Sequence, residues 1–404
     1  MAGVAAFAAV GRLVQTRPGF KRPCPPVPAA VSASSCDPRA MHPRRAFVMA
    51  LLAPSLASAA ASTQADEAPL RFPADFGSHP ASHIEWWYVT GALEAAGSAA
   101  AARRTWGFQI TFFRAGTGLG GADAGPFVAS QLVFAHAAVT DLAAGRLRHD
   151  QRIGRAGFGI AEAGAGDTRL ALRDWRLARS DAGGRSRYTA SAASDGAGFA
   201  FQLVLSATQP VLLQGDRGLS RKGPNREQSS RYYSEPQLAA TGTLSLDGRA
   251  VAVSGRAWLD HEWSDSFLDP AAVGWDWVGM NLDDGSALTA FRLRRADGSA
   301  LWSGGSFRTA IGAARDFADG EVVFTPGRRW LSAASQGRYP VEWRIATPVG
   351  TFTVRALQDD QELDSRASTG AVYWEGLSAL EGEGGRRVGR GYLEMTGYAG
   401  RLVL

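Results

Sequence analysis

The sequence predicts an all-β protein built from two antiparallel β-barrels in tandem. The chain has 404 residues, which is too long for one small core and suits two domains of ordinary size. Segments with alternating apolar side chains recur along it, and several are bounded by Gly or Asp-Gly turns. An aromatic strand near residue 86 also has a counterpart near residue 275, a domain's length further on. Together these observations favour two related β-domains over a helical or mixed fold.

The first 61 residues are expected to precede the folded part. Residues 1–40 are rich in Ala, Pro and Arg without periodicity, as in a disordered leader or in a chain whose true start is Met41. Residues 41–61 hold the pair Arg44-Arg45, an apolar run and an Ala-Ser-Ala cleavage site ending at Ala59. This segment resembles a twin-arginine export signal, with an ordinary secretory signal as the alternative. Either one predicts a periplasmic or secreted protein.

Composition excludes several functional classes. The net charge is +5, but residues 1–61 carry seven basic side chains and one acidic side chain, which leaves −1 for the rest. A near-neutral mature chain gives no support for nucleic-acid binding. Both cysteines, Cys24 and Cys36, lie in the leader, so disulfides, a thiol nucleophile and Cys-ligated zinc are excluded for the mature chain. No later segment has the ~18 consecutive apolar residues of a membrane span.

The two predicted domains follow the order of the strand patterns. Residues 62–240 form the predicted N-terminal barrel, which starts with a polar spacer and the aromatic strand at residues 83–91. The Gly- and Ser-bearing stretch at residues 215–237 is predicted to be the long loop that ends this domain. Residues 241–404 form the predicted C-terminal barrel, with a second set of alternating strands.

The aromatic strand is repeated in the second domain. Trp-Trp-Tyr-Val at residues 86–89 lines up with Trp-Asp-Trp-Val at residues 275–278. Because side chains alternate in a strand, Glu85 and Trp87 share one face and Trp86 takes the other. Trp86 is expected to fill its barrel. Trp87, which shares its face with Glu85, is expected to point toward the neighbouring domain. In the second copy, if the tryptophans fill the barrel, Asp276 faces outward or into the interface.

The densest polar cluster is AWLDHEWSDSF at residues 257–267, called the acidic box below. Three ionisable residues in a row, Asp260, His261 and Glu262, stand between tryptophans. Burial beside large aromatics raises a carboxyl pKa, so that the acid can donate a proton near neutral pH, and an adjacent His can relay it. The alternative is a strand end whose charges pair locally and whose tryptophans pack.

Two further groups have weaker signals. His79, His83, Glu85 and His261 could form a loop-built metal site, but Pro80 argues against a helix that would hold the histidines at ligand spacing. We expect these groups to satisfy loop backbone instead, and no metal is predicted.

The second group is the basic segment "LSRKGPNREQSSRYYSEP", whose arginines, Lys222 and Tyr233 could hold a carboxylate or form a solvated loop. Gly-x-Ser-x-Gly, phosphate-loop and Rossmann motifs are absent, which makes a standard serine hydrolase or nucleotide enzyme unlikely to be encoded here.

Several motifs along the chain resemble those of a known family. "FPADFGSHPASHIEWWYVTGAL", "GFQITFFR", "GLSRKG", "RYYSEPQL", "AWLDHEWS", "GWDWVGMNL", "YWEG" and "GYLEMTGY" occur in this order. They are similar to the secreted lipocalin-like proteins of the AttH-like family, related to hydroxyneurosporene synthase, the carotenoid 1,2-hydratase. The resemblance spans about residues 70–404 and implies two lipocalin-like β-barrels packed against each other.

The resemblance also implies a function. Hydratase members add water to the terminal double bond of an acyclic carotenoid without a cofactor, by protonating the alkene and stabilising the cation on aromatic faces. The His-x-Trp of their essential box matches His261 and Trp263, and a downstream aromatic and aspartate fall loosely on residues 275–277. The predicted catalytic residues are therefore Asp260, His261, Glu262, Trp263 and Asp276. The predicted ligand-binding residues are Glu85, Trp87, Trp275, Trp277 and Tyr233.

Two function hypotheses follow from these residues. The first is an exported enzyme, a hydro-lyase of the carotenoid hydratase type or a hydrolase, that acts on an isoprenoid- or lipid-like molecule. Asp260 or Glu262 would donate the proton, His261 would relay it, and tryptophans would form the cation-stabilising wall. The second is a non-catalytic binding or transport-accessory protein for a hydrophobic small molecule, with components of an ABC transporter as partners.

Overall fold

A computed structural model of the chain describes residues 69–97, 104–119, 125, 127–265 and 268–401. The leader and the predicted export signal lie outside these residues. From Pro69 onward the chain belongs to one compact unit. Its described part is made of strands, with short 3-10 helices at Ala74–Phe76 and Glu383–Gly385, so the all-β prediction is confirmed. Neither helix has the length or the apolar character needed to cross a membrane.

Thirteen strands form the first sheet, which curls into a nearly closed lipocalin-like barrel. They are β1 (Ile84–Ala95), β2 (Thr105–Gly116), β3 (Gln131–Asp141), β4 (Arg146–Arg155), β5 (Ala161–Ala163), β6 (Arg169–Leu172), β7 (Trp175–Asp181), β8 (Ser186–Ser194), β9 (Phe199–Ser206), β10 (Leu212–Leu213), β11 (Leu219–Arg221), β12 (Ser229–Leu246) and β13 (Arg249–Ser264). Their order is β4-β3-β2-β1-β13-β12-β9-β8-β7-β6-β5, and β10 and β11 pair with β12. The last long strand, β13, therefore lies beside the first, β1.

Ten strands form the second sheet, which is also curled. They are β14 (Gly274–Leu282), β15 (Ala287–Arg294), β16 (Ala300–Arg308), β17 (Ala314–Phe317), β18 (Val323–Pro326), β21 (Glu342–Thr347), β22 (Gly350–Ala356), β23 (Glu362–Ser365), β24 (Ala371–Glu381) and β25 (Arg387–Met395); β19 (Arg329–Leu331) and β20 (Arg338–Pro340) form a separate pair. The order is β17-β16-β15-β14-β25-β24-β22-β21-β18, with β23 on β24. All pairings in both sheets are antiparallel, as in lipocalin-like barrels.

The change from the first sheet to the second comes between Ser264 and Gly274. The domain boundary predicted from the sequence, at residues 240/241, falls inside β12. Residues 215–237 were predicted to be a loop, and this was wrong, because they contain β11 and half of β12. β12 pairs with a strand on each side, and its two faces have different surroundings. Polar side chains therefore occur on it, and the sequence lacks the regular apolar alternation by which strands were predicted.

Three apolar layers stabilise the fold. One fills the first barrel, a second fills the second barrel, and a third lies between the two sheets. The third layer, called the inter-barrel layer below, joins Tyr88 and Trp258 of the first sheet to Trp277 of the second, with ring centroids 5.4 and 6.3 Å apart. The expectation of two barrels packed against each other is thus confirmed.

The paired tryptophans take opposite faces, but in the reverse of the predicted arrangement. Trp87, on the face of Glu85, packs inside the first barrel, and Trp86 belongs to the inter-barrel layer. Trp275 and Trp277 likewise lie in this layer instead of filling the second barrel. Alternation correctly separated the faces, but both faces of β1 are apolar, so the local sequence could not tell which one points inward.

Candidate functional site between the two barrels

The acidic box divides between two faces of β13. Asp260 and Glu262 point with Trp258 toward the second sheet, whereas His261 and Trp263 point into the first barrel. The prediction that His261 relays a proton to either carboxylate was therefore wrong. Adjacent residues of a strand lie on opposite faces of the sheet, so neighbours in sequence are separated by the backbone here.

Inside the first barrel, Glu85 is the centre of a hydrogen-bonded group that we call the Glu85 cluster (His79, Glu85, Arg114, Tyr233 and His261). His79 Nδ1 and His261 Nε2 lie 2.7 and 2.9 Å from Glu85 Oε1. Arg114 Nε donates to Glu85 Oε2 at 2.8 Å, and the backbone N–H of His79 donates to the same oxygen at 2.9 Å. Every acceptor position of this buried carboxylate facing the cluster is thus occupied by a donor.

These contacts decide the charge states in the Glu85 cluster. Burial alone would raise the pKa of Glu85, but hydrogen bonds from His261 and His79 and the charge of Arg114 lower it to about 2. Burial lowers the pKa of His261 and keeps its imidazole neutral, so that with Nε2 donating to Glu85, Nδ1 accepts from the Tyr233 hydroxyl at 3.1 Å. Burial also lowers the pKa of His79, but Glu85 and Asp75 outweigh it and raise the pKa above its usual value.

Aromatic rings fix the two imidazoles of this cluster. His79 stacks on Trp263 with centroids 3.7 Å apart and an interplanar angle of 8°, and His261 stacks on Trp87 at 4.4 Å. Ligand atoms of His79, Glu85 and His261 lie within 4.8 Å of one another, close enough to bind a metal ion. However, the Arg114 guanidinium already supplies the positive charge that faces Glu85, so this donor set fits a hydrogen-bonded network better than a divalent cation. The backbone of His83 instead donates to Asp265 Oδ1 at 2.6 Å.

On the other face of β13, Asp260 is buried and accepts three hydrogen bonds. The donors are the Tyr232 hydroxyl at 2.8 Å, the Ser234 hydroxyl at 2.5 Å and the Trp258 indole at 2.7 Å. Burial raises the pKa of Asp260 to about 6 against the opposing effect of these donors. Three donors aimed at one carboxylate favour its ionised form at neutral pH.

Glu262, two residues further along the same face, pairs with Lys222. Lys222 Nζ lies 3.0 Å from Glu262 Oε1 and 4.7 and 4.6 Å from the ring centroids of Tyr232 and Phe291. The Ser230 hydroxyl also donates to Glu262. Burial would raise the pKa of Glu262, but the charge of Lys222 lowers it, whereas burial lowers the pKa of Lys222 itself. The opposite charges of Lys222 and Glu262 therefore neutralise each other at one end of the inter-barrel layer.

Two further carboxyls face Asp260 and Glu262 from the second sheet, and neither was predicted from the sequence. Glu375 of β24 and Glu394 of β25 are directly opposite each other in register. Gln109 of the first sheet donates to Glu375 Oε2 at 2.6 Å, across the two barrels. Among the described residues, neither oxygen of Glu394 has a hydrogen-bond partner. Each acid stands alone between apolar residues, in "YWEG" and "GYLEMTGY", and this isolation is the signal that could have found them.

The missing partners have a clear electrostatic effect. Burial, together with the nearby charges of Asp260 and Glu262, raises the pKa of Glu394 to about 8. Burial and the charge of Glu394 likewise raise the pKa of Glu375. Trp275 is the nearest donor to Glu394, but its indole N–H makes no hydrogen bond of normal geometry within the described residues. At neutral pH Glu394 thus holds its proton.

Other polar atoms around this pair also lack partners among the described residues. They are the indole nitrogens of Trp86, Trp275 and Trp277, the Tyr88 hydroxyl, Gln109 Oε1 and Glu375 Oε1. We call this group, together with Glu394, Asp260 and Trp258, the inter-barrel site. Trp277 has room there because its neighbour is Gly279, where a Cβ atom would lie 2.3 Å from the indole ring. Buried polar atoms without partners are uncommon in folded proteins, and their concentration here is typical of a ligand site.

Asp276 lies elsewhere, on the face of β14 that points into the second barrel. Its carboxylate accepts from Arg292 Nε and the Tyr398 hydroxyl, each at 2.8 Å. The Arg292 guanidinium in turn lies 4.8 Å from the centroid of the Trp343 ring inside that barrel. The structure therefore separates the predicted catalytic and ligand-binding residues into three places. Asp260, Trp275 and Trp277 meet in the inter-barrel site, and Glu262 lies on the same face of β13 as Asp260. Inside the first barrel meet Glu85, Trp87, Tyr233, His261 and Trp263.

Comparison with known proteins agrees with this architecture. The AttH-like family model matches residues 63–398. The chain belongs to the AttH-like family. A crystal structure from Nitrosomonas europaea assigned to AttH is 45% identical, with a TM-score of 0.75, over 82% of this chain and 98% of that one. The resemblance inferred from the sequence motifs is thus confirmed for the AttH-like family.

A more distant likeness concerns the fold alone. Kievitone hydratase from Nectria haematococca is 15% identical, with a TM-score of 0.61, over 82% of this chain and 94% of that one. Among curated protein sequences, none is a significant match to this chain. AttH-like proteins therefore share their paired barrels with a protein that is a hydratase by name.

Proposed function

We propose that this AttH-like protein is a hydratase that adds water to an alkene by acid catalysis in the inter-barrel site, with Glu394 as the proton donor. The observation that carries the proposal is the state of Glu394, which is buried, protonated at neutral pH and without a hydrogen-bond partner in the described part of the chain. A neutral carboxylic acid in an apolar site is the donor that alkene protonation requires.

The proposed reaction needs only side chains of this chain and a water molecule. The Glu394 carboxyl transfers its proton to one alkene carbon, and the second alkene carbon becomes a cation. Indole faces such as that of Trp277 stabilise this cation, and the ionised Asp260 adds favourable charge. Water then forms a C–O bond with the cation and gives up a proton to the Glu394 carboxylate, which restores the acid. Glu375 lies opposite Glu394 in register, and this second carboxyl helps to retain the returned proton.

This assignment differs from the one made on the sequence, which gave the donor role to Asp260 or Glu262. Asp260 accepts three hydrogen bonds and Glu262 is paired with Lys222, so both are better suited to remain ionised. The fold shared with a hydratase supports the reaction class, although likeness of fold does not determine a reaction.

The experiment is an incubation of the purified protein, in water labelled with heavy oxygen, with a metabolite extract of the native cells. A hydratase would add one heavy oxygen atom to its substrate, and mass spectrometry would detect the product. Glu394→Gln keeps the shape of the side chain but cannot act as the acid, so the rate should fall roughly 10²–10⁴-fold. The exposed Glu383→Gln is the matched control and should keep full activity.

Two results would contradict the proposal. Full activity of Glu394→Gln would remove Glu394 from the reaction. No labelled product with the wild-type protein, together with an unchanged ligand recovered from it, would favour a non-catalytic binding protein.

We also propose that the protein is exported to the periplasm or secreted, because residues 41–61 resemble a twin-arginine signal. Replacement of Arg44 and Arg45 by lysine should keep the full-length precursor in the cytoplasm. Fractionation of cells that express both forms, followed by immunoblotting, measures this. An unchanged distribution would contradict a twin-arginine route.

A further inference from the structure

We infer that the ligand of the inter-barrel site is an oxygen-bearing apolar molecule, with a carbonyl or ether oxygen and a hydroxyl group, and not a pure hydrocarbon. This inference rests on the proposed function in that it concerns the same site. It differs from the acyclic carotenoid that the hydratase resemblance implies, because such a chain offers no hydrogen-bonding atom to the site.

The unpaired donors require acceptor atoms on the ligand. The indole N–H groups of Trp275 and Trp277 and the Tyr88 hydroxyl are buried and make no hydrogen bond of normal geometry among the described residues, although Trp275 lies near Glu394 and Tyr88 near Glu375. Tyr88 and Trp277 are in edge contact at 5.4 Å, and Trp277 is paired in register with Glu394. The donors therefore lie around the proposed acid, and an indole N–H can be satisfied only by an acceptor.

The unpaired acceptor of the site requires a donor on the ligand. Gln109 Nε2 is committed to Glu375 Oε2 at 2.6 Å, which orients the amide, and Gln109 Oε1 lacks a partner within the described residues. Burial raises the pKa of Glu375, so its proton lies on Oε1, the oxygen that does not accept from Gln109. A ligand hydroxyl near Gln109 Oε1 would donate to that oxygen.

The energetic argument concerns what a hydrocarbon would do to these atoms. It would cover them without replacing any hydrogen bond, and each buried unsatisfied group costs about 1–3 kcal/mol. A ligand oxygen placed against the same group removes that penalty. The aromatic rings of the site still provide apolar contact for the rest of the ligand, so the site suits a molecule with an apolar frame and a few oxygens.

The interiors of the barrels also contain unpaired polar atoms among the described residues. They are Trp106 Nε1, Arg114 Nη1 and Glu235 Oε2 in the first barrel, and the Tyr339 hydroxyl and Trp343 Nε1 in the second. The inter-barrel site differs because its unpaired indole of Trp277 lies on the strand beside the proposed acid, Glu394. The inference therefore concerns the ligand that binds around this acid.

A series of three probes that share a prenylbenzene core tests the inference: prenylbenzene, ortho-prenylphenol and a prenylated hydroxyacetophenone. They carry no oxygen, a hydroxyl, and a hydroxyl with a carbonyl. Isothermal titration calorimetry with the full-length mature protein should show affinity rising along the series. We expect roughly a tenfold gain for each oxygen that pairs with the site, the change that a hydrogen bond of ordinary strength gives.

Tyr88→Phe is the matching variant, because it removes one unpaired hydroxyl and keeps the ring. It should lower the affinity for the oxygen-bearing probes about five- to tenfold and leave that for prenylbenzene unchanged. Tyr188→Phe is the control: the Tyr188 hydroxyl bonds Glu235 at 3.1 Å inside the first barrel, so its loss should alter neither affinity.

The outcomes separate this inference from the proposed function. Equal or weaker binding of the oxygen-bearing probes, or no binding by them, overturns the inference, because it would mean that water satisfies the unpaired atoms. If affinity rises along the series but no turnover is found, the ligand class is supported and the hydratase is contradicted. If turnover is found but affinity does not change along the series, the hydratase is supported and the ligand class is contradicted.

Discussion

Two buried carboxylates, Glu85 in the first barrel and Glu394 between the barrels, have opposite surroundings. Both are fully buried. Glu85 accepts hydrogen bonds from two imidazoles and a guanidinium, and its pKa falls to about 2. Glu394 has no such partner in the described part of the chain, and its pKa rises to about 8. Burial is common to both, so the difference comes from the donors that surround each group.

The comparison shows how the fold assigns structural and chemical roles. In the Glu85 cluster both oxygens of the central carboxylate accept hydrogen bonds, and its strands β1, β2, β12 and β13 are neighbours in the first sheet. The inter-barrel site instead holds polar atoms without partners in the described part of the chain, which lowers the stability of the fold and leaves these groups available to a ligand. A local loss of folding stability of this kind is characteristic of functional sites.

Removal of the Glu85 carboxylate should cause the largest loss of stability. Glu85→Ala leaves the Arg114 guanidinium buried without its counter-ion, and loss of one partner of a buried pair typically costs about 3–5 kcal/mol. Urea denaturation followed by tryptophan fluorescence measures the free energy of unfolding. The exposed pair Arg217–Asp216 provides the control, since Asp216→Ala should change it by less than about 1 kcal/mol. A loss below about 1 kcal/mol in Glu85→Ala would contradict the structural role of the cluster.

Glu394→Gln should act in the opposite direction and only above acidic pH. The ordinary pKa is 4.5 and the folded value is about 8, so the folded state holds more protons than the unfolded state between these pH values. The free energy of unfolding of the wild type therefore falls as the pH rises through this window. Gln cannot ionise, so the variant should be more stable by about 5 kcal/mol at about pH 9 and similar to the wild type near pH 4.

Thermal or urea unfolding of both proteins across this pH range measures the effect. Parallel pH profiles for wild type and variant would show that the pKa of Glu394 is not raised. A variant that is more stable at high pH and inactive would match the role proposed for this acid.

Ser234→Ala should have the smallest effect. It removes one of the three donors to Asp260 and leaves the Tyr232 and Trp258 donors in place. The expected loss is about 1–2 kcal/mol of unfolding free energy, with a rise in the pKa of Asp260, because one bond to its ionised form is gone. Carboxyl titration by NMR or infrared difference spectroscopy would detect that rise. No change in the pKa would mean that this hydroxyl does not stabilise the ionised form.

Most of the fold could be predicted from local patterns. Period-two alternation identified the strand at residues 83–91 and its echo near residue 275, and the motif order placed the chain in the AttH-like family. The end of the first barrel was harder, because β13 pairs with β1, which lies far away in sequence. The sequence of residues 249–264 alone does not indicate to which domain this strand belongs.

The site was predicted in part. Asp260, Glu262, Trp275 and Trp277 were found because they lie in dense motifs, and the structure brings them to one layer. The relay role of His261 failed because three consecutive residues were treated as one cluster, although a strand separates them. Glu375 and Glu394 were missed because each is a single acid in an apolar strand, with no local partner to mark it.

The sequence by itself determined the β-class, the family, the two faces of each aromatic strand and the aromatic and acidic residues available for chemistry. These follow from side-chain alternation and composition, which are local properties. Only the tertiary structure decided which face became the interior of a barrel and which the contact between barrels. It also decided which carboxylates gained donors and which did not. That depends on residues hundreds of positions apart, such as Gln109 and Glu375, whose meeting is set by the packing of two curled sheets.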